Sequence, residues 1–199
     1  MSEAFVSCLS MRLFGIATLC AAMLSALGNI LPLRDTNGNV HNPAEWQGPR
    51  VVVLFFVATD CPIANKYVPQ MNRMHDRFAP RGVRFYSVQT DPTVSDTDVA
   101  RYARDFRYTF PVLLDPDQEL VDYTGATITP QAAVLGPGGK LVYPGRIDDR
   151  VVDFGKQRYE ATTHDLADAV EAVLAGKPVA HPTTRSIGCA INRLHAATQ

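Results

Sequence analysis

The chain has 199 residues, 46% of them hydrophobic and 20% charged, with a formal net charge of −1. That is enough apolar material for one globular domain with its own core, with room for appendages. The near-neutral balance, without Lys/Arg clusters interleaved with aromatics, argues against a nucleic-acid partner and gives no electrostatic case for an anionic membrane surface.

From Met11 the chain reads MRLFGIATLCAAMLSALG, a short basic start followed by a continuous apolar run and a small-residue pattern at Ala26 and Gly28. This is the pattern of a secretory signal peptide, expected over residues 1–28, with Met11 as an alternative start. Leu13 to Leu27 is short of the ~20 apolar residues of a membrane span. An uncleaved anchor or an apolar helix packed on the domain are the other readings. Cys8 and Cys20 fall in this segment, so the exported chain is expected to hold two cysteines, Cys61 and Cys189. Two are too few for a disulfide-stapled scaffold and enough for one redox pair. The remainder divides into a domain over 29–178 and a C-terminal tail over 179–199.

Asp35-Thr36-Asn37-Gly38-Asn39 is turn chemistry, and Gly48-Pro49 breaks the chain before a strand. Val51 to Ala58 is almost wholly apolar, β-branched or aromatic, as in a strand buried on both faces. A helix follows, with Ile63, Tyr67, Met71, Met74 and Phe78 on one stripe. Pro62 suits its first turn and Pro69 is expected to kink it. Val83 to Gln89 is the second strand. Ser95 or Asp96 caps a helix through Phe106, with Val99, Tyr102, Ala103 and Phe106 facing inward. Phe110 to Leu114 is a short extended segment, and Gln118 to Tyr123 a short helix ending at Gly125. Ala132–Leu135 and Leu141–Tyr143 form a hairpin around Gly136-Pro137-Gly138-Gly139. Thr162 or Thr163 caps a last helix over Leu166 to Ala175, stopped by Gly176. The tail beyond Val179 has no strong period. Strand–helix–strand at the start requires a right-handed parallel crossover, and the hairpin adds antiparallel strands. The expected fold is α/β: a central mixed β-sheet flanked by helices on both faces.

Chemistry centres on Thr59-Asp60-Cys61-Pro62-Ile63-Ala64-Asn65. Cys61 follows a buried strand and opens a helix, where unpaired N–H groups and the helix dipole favour a thiolate. Lys66, one turn on, adds to this and Asp60 opposes it. The plain alternative is an inert core cysteine, but Cys61 comes after the apolar run, where the chain emerges and an exposed thiol is expected.

The run from Val51 to Asn65, the second strand VRFYSVQTD, Ile128-Thr129-Pro130 before the hairpin and Gly145 after it together resemble the thioredoxin superfamily. The resemblance is nearest to its redoxin branch, the alkyl hydroperoxide reductase / thiol-specific antioxidant type, over roughly Leu31 to Gly176. It implies a thioredoxin-like fold with Cys61 as nucleophile. Pro130 takes the place of the cis-proline facing it, with Thr129 offering its backbone to an extended substrate. It also implies a disulfide-containing protein or a peroxide as substrate, an external thiol as reductant, and no cofactor. The chain departs from the family in places. Ala64 stands where a thioredoxin-like reductase has its second cysteine. Ala58 and Leu54 stand where a peroxiredoxin has Thr and Pro, with Thr59 one place off. Arg146 is a candidate for the peroxide-polarising arginine, or a surface residue paired with Asp148 or Asp149.

Cys189, in Ser186-Ile187-Gly188-Cys189-Ala190-Ile191-Asn192, is either incidental packing or the resolving partner of Cys61. Gly188 allows its backbone to approach another group closely. The reading is an exported thiol–disulfide oxidoreductase in which Cys61, flanked by Pro62, attacks and Cys189 resolves. A thiol peroxidase is the first alternative. A Sco-like copper module, similar in fold, is the second. It would need Cys61, Cys189 and one of His41, His75, His164 or His181, none of which has a local metal-site spacing.

Overall fold

The computed structural model describes residues 31–46 and 51–194. The expected signal segment, with Cys8 and Cys20, lies outside the described residues.

The chain enters through a small hairpin, β1 (Leu33–Arg34) and β2 (Val40–His41), whose turn is held by the Asp35 carboxylate accepting the N–H groups of Asn37 and Asn39, each at 2.9 Å. Strand β3 (Val51–Val57) follows, and all seven of its residues are completely buried. Val51, Val53, Phe55 and Val57 enter one apolar cluster and Val52, Leu54 and Phe56 the other, so the strand feeds both faces of the sheet. This is why it carries no polar alternation.

Helix α1 (Pro62–Phe78) packs its stripe of Ile63, Tyr67, Met71, Met74 and Phe78 on the first face and continues past Pro69 to Phe78. Strand β4 (Val83–Gln89) pairs parallel to β3. Helix α2 (Asp96–Asp105) is capped by Ser95 and buries Val99 and Tyr102. Phe106, expected to face inward, lies beyond the helix and is exposed, while Ala103 is half-buried. Strand β5 (Val112–Leu114) pairs parallel to β4, and the short α3 (Glu119–Thr124) covers the second face through Leu120 and Val121.

Strands β6 (Ile128–Thr129), β7 (Gln131–Leu135) and β8 (Leu141–Gly145) follow. The hairpin β7–β8 adds antiparallel to β3, giving the order β5-β4-β3-β7-β8. Pro144 is tolerated because β8 is an edge. An additional hairpin, β9 (Val151–Asp153) and β10 (Lys156–Gln157), precedes α4 (Asp165–Leu174). No capping bond comes from Thr162 or Thr163 to α4. Its N-cap is His164, without a side-chain bond. Thr162 serves Asp149, whose carboxylate accepts its N–H and hydroxyl, and the Thr163 hydroxyl donates to Asp165 at 2.9 Å. Helix α4 joins α1 on the first face through Leu166, Ala169 and Val170, so helices cover both faces of the mixed sheet as expected.

The described part of the tail is ordered where no periodicity announced it. It returns to the domain and forms β11 (Cys189–Ala190), which pairs antiparallel with β6. Ile191, next along, is buried among the side chains of the second face.

Candidate active site

Cys61 ends the turn after β3, where its N–H donates to the Ala58 carbonyl at 3.1 Å. It is also the N-cap of α1, its sulfur accepting the Ala64 N–H at 3.5 Å, with Pro62 at the first helical position. Ala64, standing where a thioredoxin-like reductase has its second cysteine, therefore contributes through its backbone. The Asn65 side chain bonds the Thr59 carbonyl at 3.2 Å and fixes the approach to the helix.

Opposite stands the Ile128-Thr129-Pro130 segment. The Thr129–Pro130 bond is cis, and the Thr129 carbonyl accepts the Cys61 thiol at 3.0 Å. Thr129 is also the register partner of Cys189 in the β6–β11 pair. One residue thus meets both cysteines, Cys61 through its thiol and Cys189 as its register partner, which makes the two neighbours. Both are free thiols.

One expectation needs correction. Cys61 is not exposed: its accessible surface is 0%, while Cys189 is half-buried. The thiol does emerge from the apolar run, but it turns onto the Thr129 carbonyl, on the segment that β11 pairs with. Gly188 makes this approach feasible, since a Cβ there would stand 2.0 Å from the Thr129 carbonyl oxygen.

The electrostatics of the pair are asymmetric. Burial is the largest influence on Cys61 and works upward. Hydrogen bonds from the Cys189 thiol, the Thr129 side chain and the Ala64 and Cys189 N–H groups outweigh it and hold the Cys61 pKa below the ordinary thiol value. The Thr129 carbonyl, an acceptor, favours the protonated thiol, so the downward direction rests on the donors. Cys189 is pushed up to about 12 by burial, by donating to Cys61, and by the negative charges of Cys61 and Asp60. The asymmetry favours the thiolate at Cys61 over one at Cys189.

Arg146 is placed elsewhere. Its guanidinium pairs with Asp165 at 2.8 Å and reaches the Thr163 hydroxyl at 3.2 Å, so its carboxylate partner is neither Asp148 nor Asp149. It shares with Pro130, Tyr67 and Ile187 the lining of a small cavity. Thr59 is half-buried beside Asp60 and enters the bonding only through its carbonyl. For the copper reading, no three His, Cys, Asp or Glu side chains form a metal-holding group among the described residues. His41 sits on Asp35 and His75 on Thr109, each at 3.0 Å.

Two residues near the site were not tied to it by the sequence, although Tyr102 was placed on the inner face of its helix. Tyr102 on α2 bonds the Asn65 side chain at 2.9 Å and the Tyr108 hydroxyl at 3.0 Å; its own pKa is raised by burial, Tyr108 and the Cys61 charge. Gln118, at the start of α3, reaches the tail backbone beyond Cys189.

Comparison with known proteins bears on the family and the fold. The AhpC/TSA family model matches residues 29–144. The thiol-disulfide oxidoreductase ResA of Bacillus subtilis (strain 168) is 29% identical over 110 residues, which is 55% of this chain and 60% of that relative's length. The chain therefore spans about three fifths of that protein. Among solved structures, a hypothetical protein from Sinorhizobium meliloti 1021 is similar with a TM-score of 0.72 and 27% identity, covering 83% of this chain and 92% of that one. A putative thiol:disulfide interchange protein DsbE from Chlorobium tepidum shares the fold at a TM-score of 0.51 and 23% identity, covering 57% of this chain and 78% of that one. The fold is thioredoxin-like and, with more than half of its residues matched, the chain belongs to the AhpC/TSA family.

Proposed function

We propose that the protein is an exported thiol–disulfide oxidoreductase in which Cys61 is the nucleophile and Cys189 its resolving partner. The observation that carries this reading is that both cysteines converge on Thr129, Cys61 through its thiol on the carbonyl and Cys189 as the register partner. The lowered pKa of Cys61 and the raised pKa of Cys189 agree with it. Export rests on the leader-like segment over residues 1–28 and on the fit of a disulfide pair to an oxidising compartment.

In the forward direction the Cys61 thiolate attacks one sulfur of a substrate disulfide. That S–S bond breaks, a Cys61–substrate disulfide forms, and the first substrate sulfur leaves as a thiolate that takes up a proton. Cys189 then loses its proton and attacks the Cys61 sulfur, releasing the second substrate thiol and leaving a Cys61–Cys189 disulfide. The substrate has gained two electrons and two protons, and the pair has lost them. An external thiol reductant resets the pair. Its thiolate attacks Cys189, the less buried sulfur, and Cys61 departs as the better leaving group because its pKa is the lower. On this reading β11, paired beside the fully buried Cys61, covers the thiol and moves aside before the first step.

The peroxidase alternative is weaker on the same site. Ala58 and Leu54 lack the polar groups of a peroxide pocket, and the Arg146 guanidinium is engaged by Asp165. The test is to give the reduced full chain a protein disulfide and, separately, hydrogen peroxide. Disulfide reduction that disappears in Cys61→Ser is expected, with a trapped mixed disulfide in Cys189→Ser. Peroxide consumption without disulfide reduction would replace this reading with the peroxidase.

A further inference from the structure

We propose that Gln118 is a positioning residue for the thiol pair: it clamps the backbone of the C-terminal tail and so holds Cys189 over Cys61. This rests on the two-cysteine reading above.

Strand β11 by itself is a weak attachment. It contributes two register pairs, Cys189 with Thr129 and Ala190 with Ile128, and so short a ladder is marginal in water. Ile191 adds a buried side chain and a bond from its N–H to the Thr127 carbonyl at 2.9 Å. Arg193 adds contacts to Asp122 and, at 3.3 Å, to the Ala126 carbonyl.

Gln118 is the fastening made from inside the protein. It is 2% exposed, and its amide has three partners. The nitrogen donates to the Thr90 carbonyl at 2.8 Å and to the Asn192 carbonyl at 2.7 Å, while the oxygen accepts the Leu194 N–H at 3.0 Å. Two of the three bonds grip the tail just beyond Cys189. The third ties the same amide to Thr90, whose N–H and hydroxyl both bond the Val57 carbonyl at the end of β3, the strand that leads to Cys61. One side chain therefore links the support of Cys61 to the segment that carries Cys189.

Two features set this apart from ordinary satisfaction of a buried amide. Gln118 has φ 56° and ψ 30°, a left-handed conformation that glycine adopts without a steric cost and a residue with a Cβ rarely does. A glutamine there is unfavourable for the backbone, and its side-chain bonds are what offsets that. The clamp also takes only backbone groups of Asn192 and Leu194, whose side chains are exposed, so it fixes where the tail runs whatever its side chains are. Fixing the tail sets the local concentration of Cys189 at Cys61, and with it the equilibrium of their disulfide.

The test uses the full chain with Gln118→Gly, which removes the amide and suits the left-handed backbone. Leu194→Pro removes the tail N–H while leaving Gln118 intact, and carries the test alone if the first variant does not fold. Asn192→Ala, which keeps the gripped carbonyl, is the control. In the reduced proteins the rate of Cys61 alkylation by iodoacetamide is followed by mass mapping. In the oxidised proteins the equilibrium of the Cys61–Cys189 disulfide with dithiothreitol is measured. The expected result is alkylation faster, and the disulfide equilibrium constant lower, by about tenfold or more in the first two variants, the scale of one or two lost hydrogen bonds. Asn192→Ala should match the wild type. Folded Gln118→Gly and Leu194→Pro proteins with wild-type alkylation rates and equilibria, even with a lowered Tm, would overturn the proposal and leave Gln118 a structural residue. If wild type forms no Cys61–Cys189 disulfide but the variants still speed alkylation, the clamp stands and the two-cysteine reading fails.

Discussion

Gly188 touches the backbone of Thr129 so closely that a Cβ on it would lie 2.0 Å from the Thr129 carbonyl oxygen, the same oxygen that accepts the Cys61 thiol at 3.0 Å. The tail can lie over Cys61 only because position 188 has no side chain. Gly188→Ala is therefore expected to lift β11 while leaving the five-stranded sheet intact. The cost should be about 1–3 kcal/mol of overpacking, or less if the tail simply detaches. Cys61 alkylation in the reduced protein should accelerate, and unchanged protection would contradict the covering role given to β11.

Removal of each cysteine should have a distinct result. Cys61→Ser is expected to reduce disulfide-reductase turnover by about three orders of magnitude or more, as losses of a catalytic nucleophile do. Cys189→Ser keeps the nucleophile and loses the resolving step, so it should accumulate a Cys61–substrate adduct visible by mass. An equal loss in both variants with no adduct would argue that Cys189 acts before Cys61.

The thiols should titrate in two well-separated steps, which belong to the pair as a whole. Following ultraviolet thiolate absorbance in the reduced protein, the first proton should leave below the ordinary thiol value of 9.0 and the second only near 12. The depressed Cys61 pKa contributes stability that grows as pH rises through its folded value and is complete above 9.0. The raised Cys189 pKa removes stability as pH rises from there towards 12. Two overlapping steps near 9 would remove the asymmetry on which the division of roles depends.

Asp115 gives a separate pH signature. Its carboxyl is pushed up to about 6 by burial, against bonds from the Val121, Leu120 and Glu119 N–H groups. Between the unfolded value near 3.8 and about 6, the folded protein keeps a proton that the unfolded chain has lost. Stability should therefore fall as pH rises through that window and level off above it, by up to about 3 kcal/mol. Asp115→Asn should flatten that slope in denaturant titrations. A slope that survives in the variant would assign it to another group.

How much of this was legible in the sequence differs from element to element. Strand β3 and the stripe of α1 were, because a strand buried on both faces must be apolar throughout and a helix packed on one face must repeat its apolar residues by threes and fours. The place of Cys61 at the strand end and helix start followed from them. The burial of Cys61 did not, because it depends on β11, a two-residue strand with no period of its own. Gly188 beside Cys189 hinted at a close approach without saying to what. Gln118 was silent: nothing local marks a glutamine as left-handed, and its partners at Asn192 and Leu194 lie more than seventy residues away. The partner of Arg146 was misread for a similar reason, since Asp148 and Asp149 are near in sequence but Asp165 is near in space.

The central claim is that Cys61 and Cys189 form one redox pair. Peptide mapping by mass spectrometry of the oxidised full chain, with free thiols blocked before digestion, tests it most directly. The account predicts a peptide containing Cys61 linked to one containing Cys189, released by reductant. Cys61 and Cys189 both recovered as blocked free thiols after oxidation would contradict it.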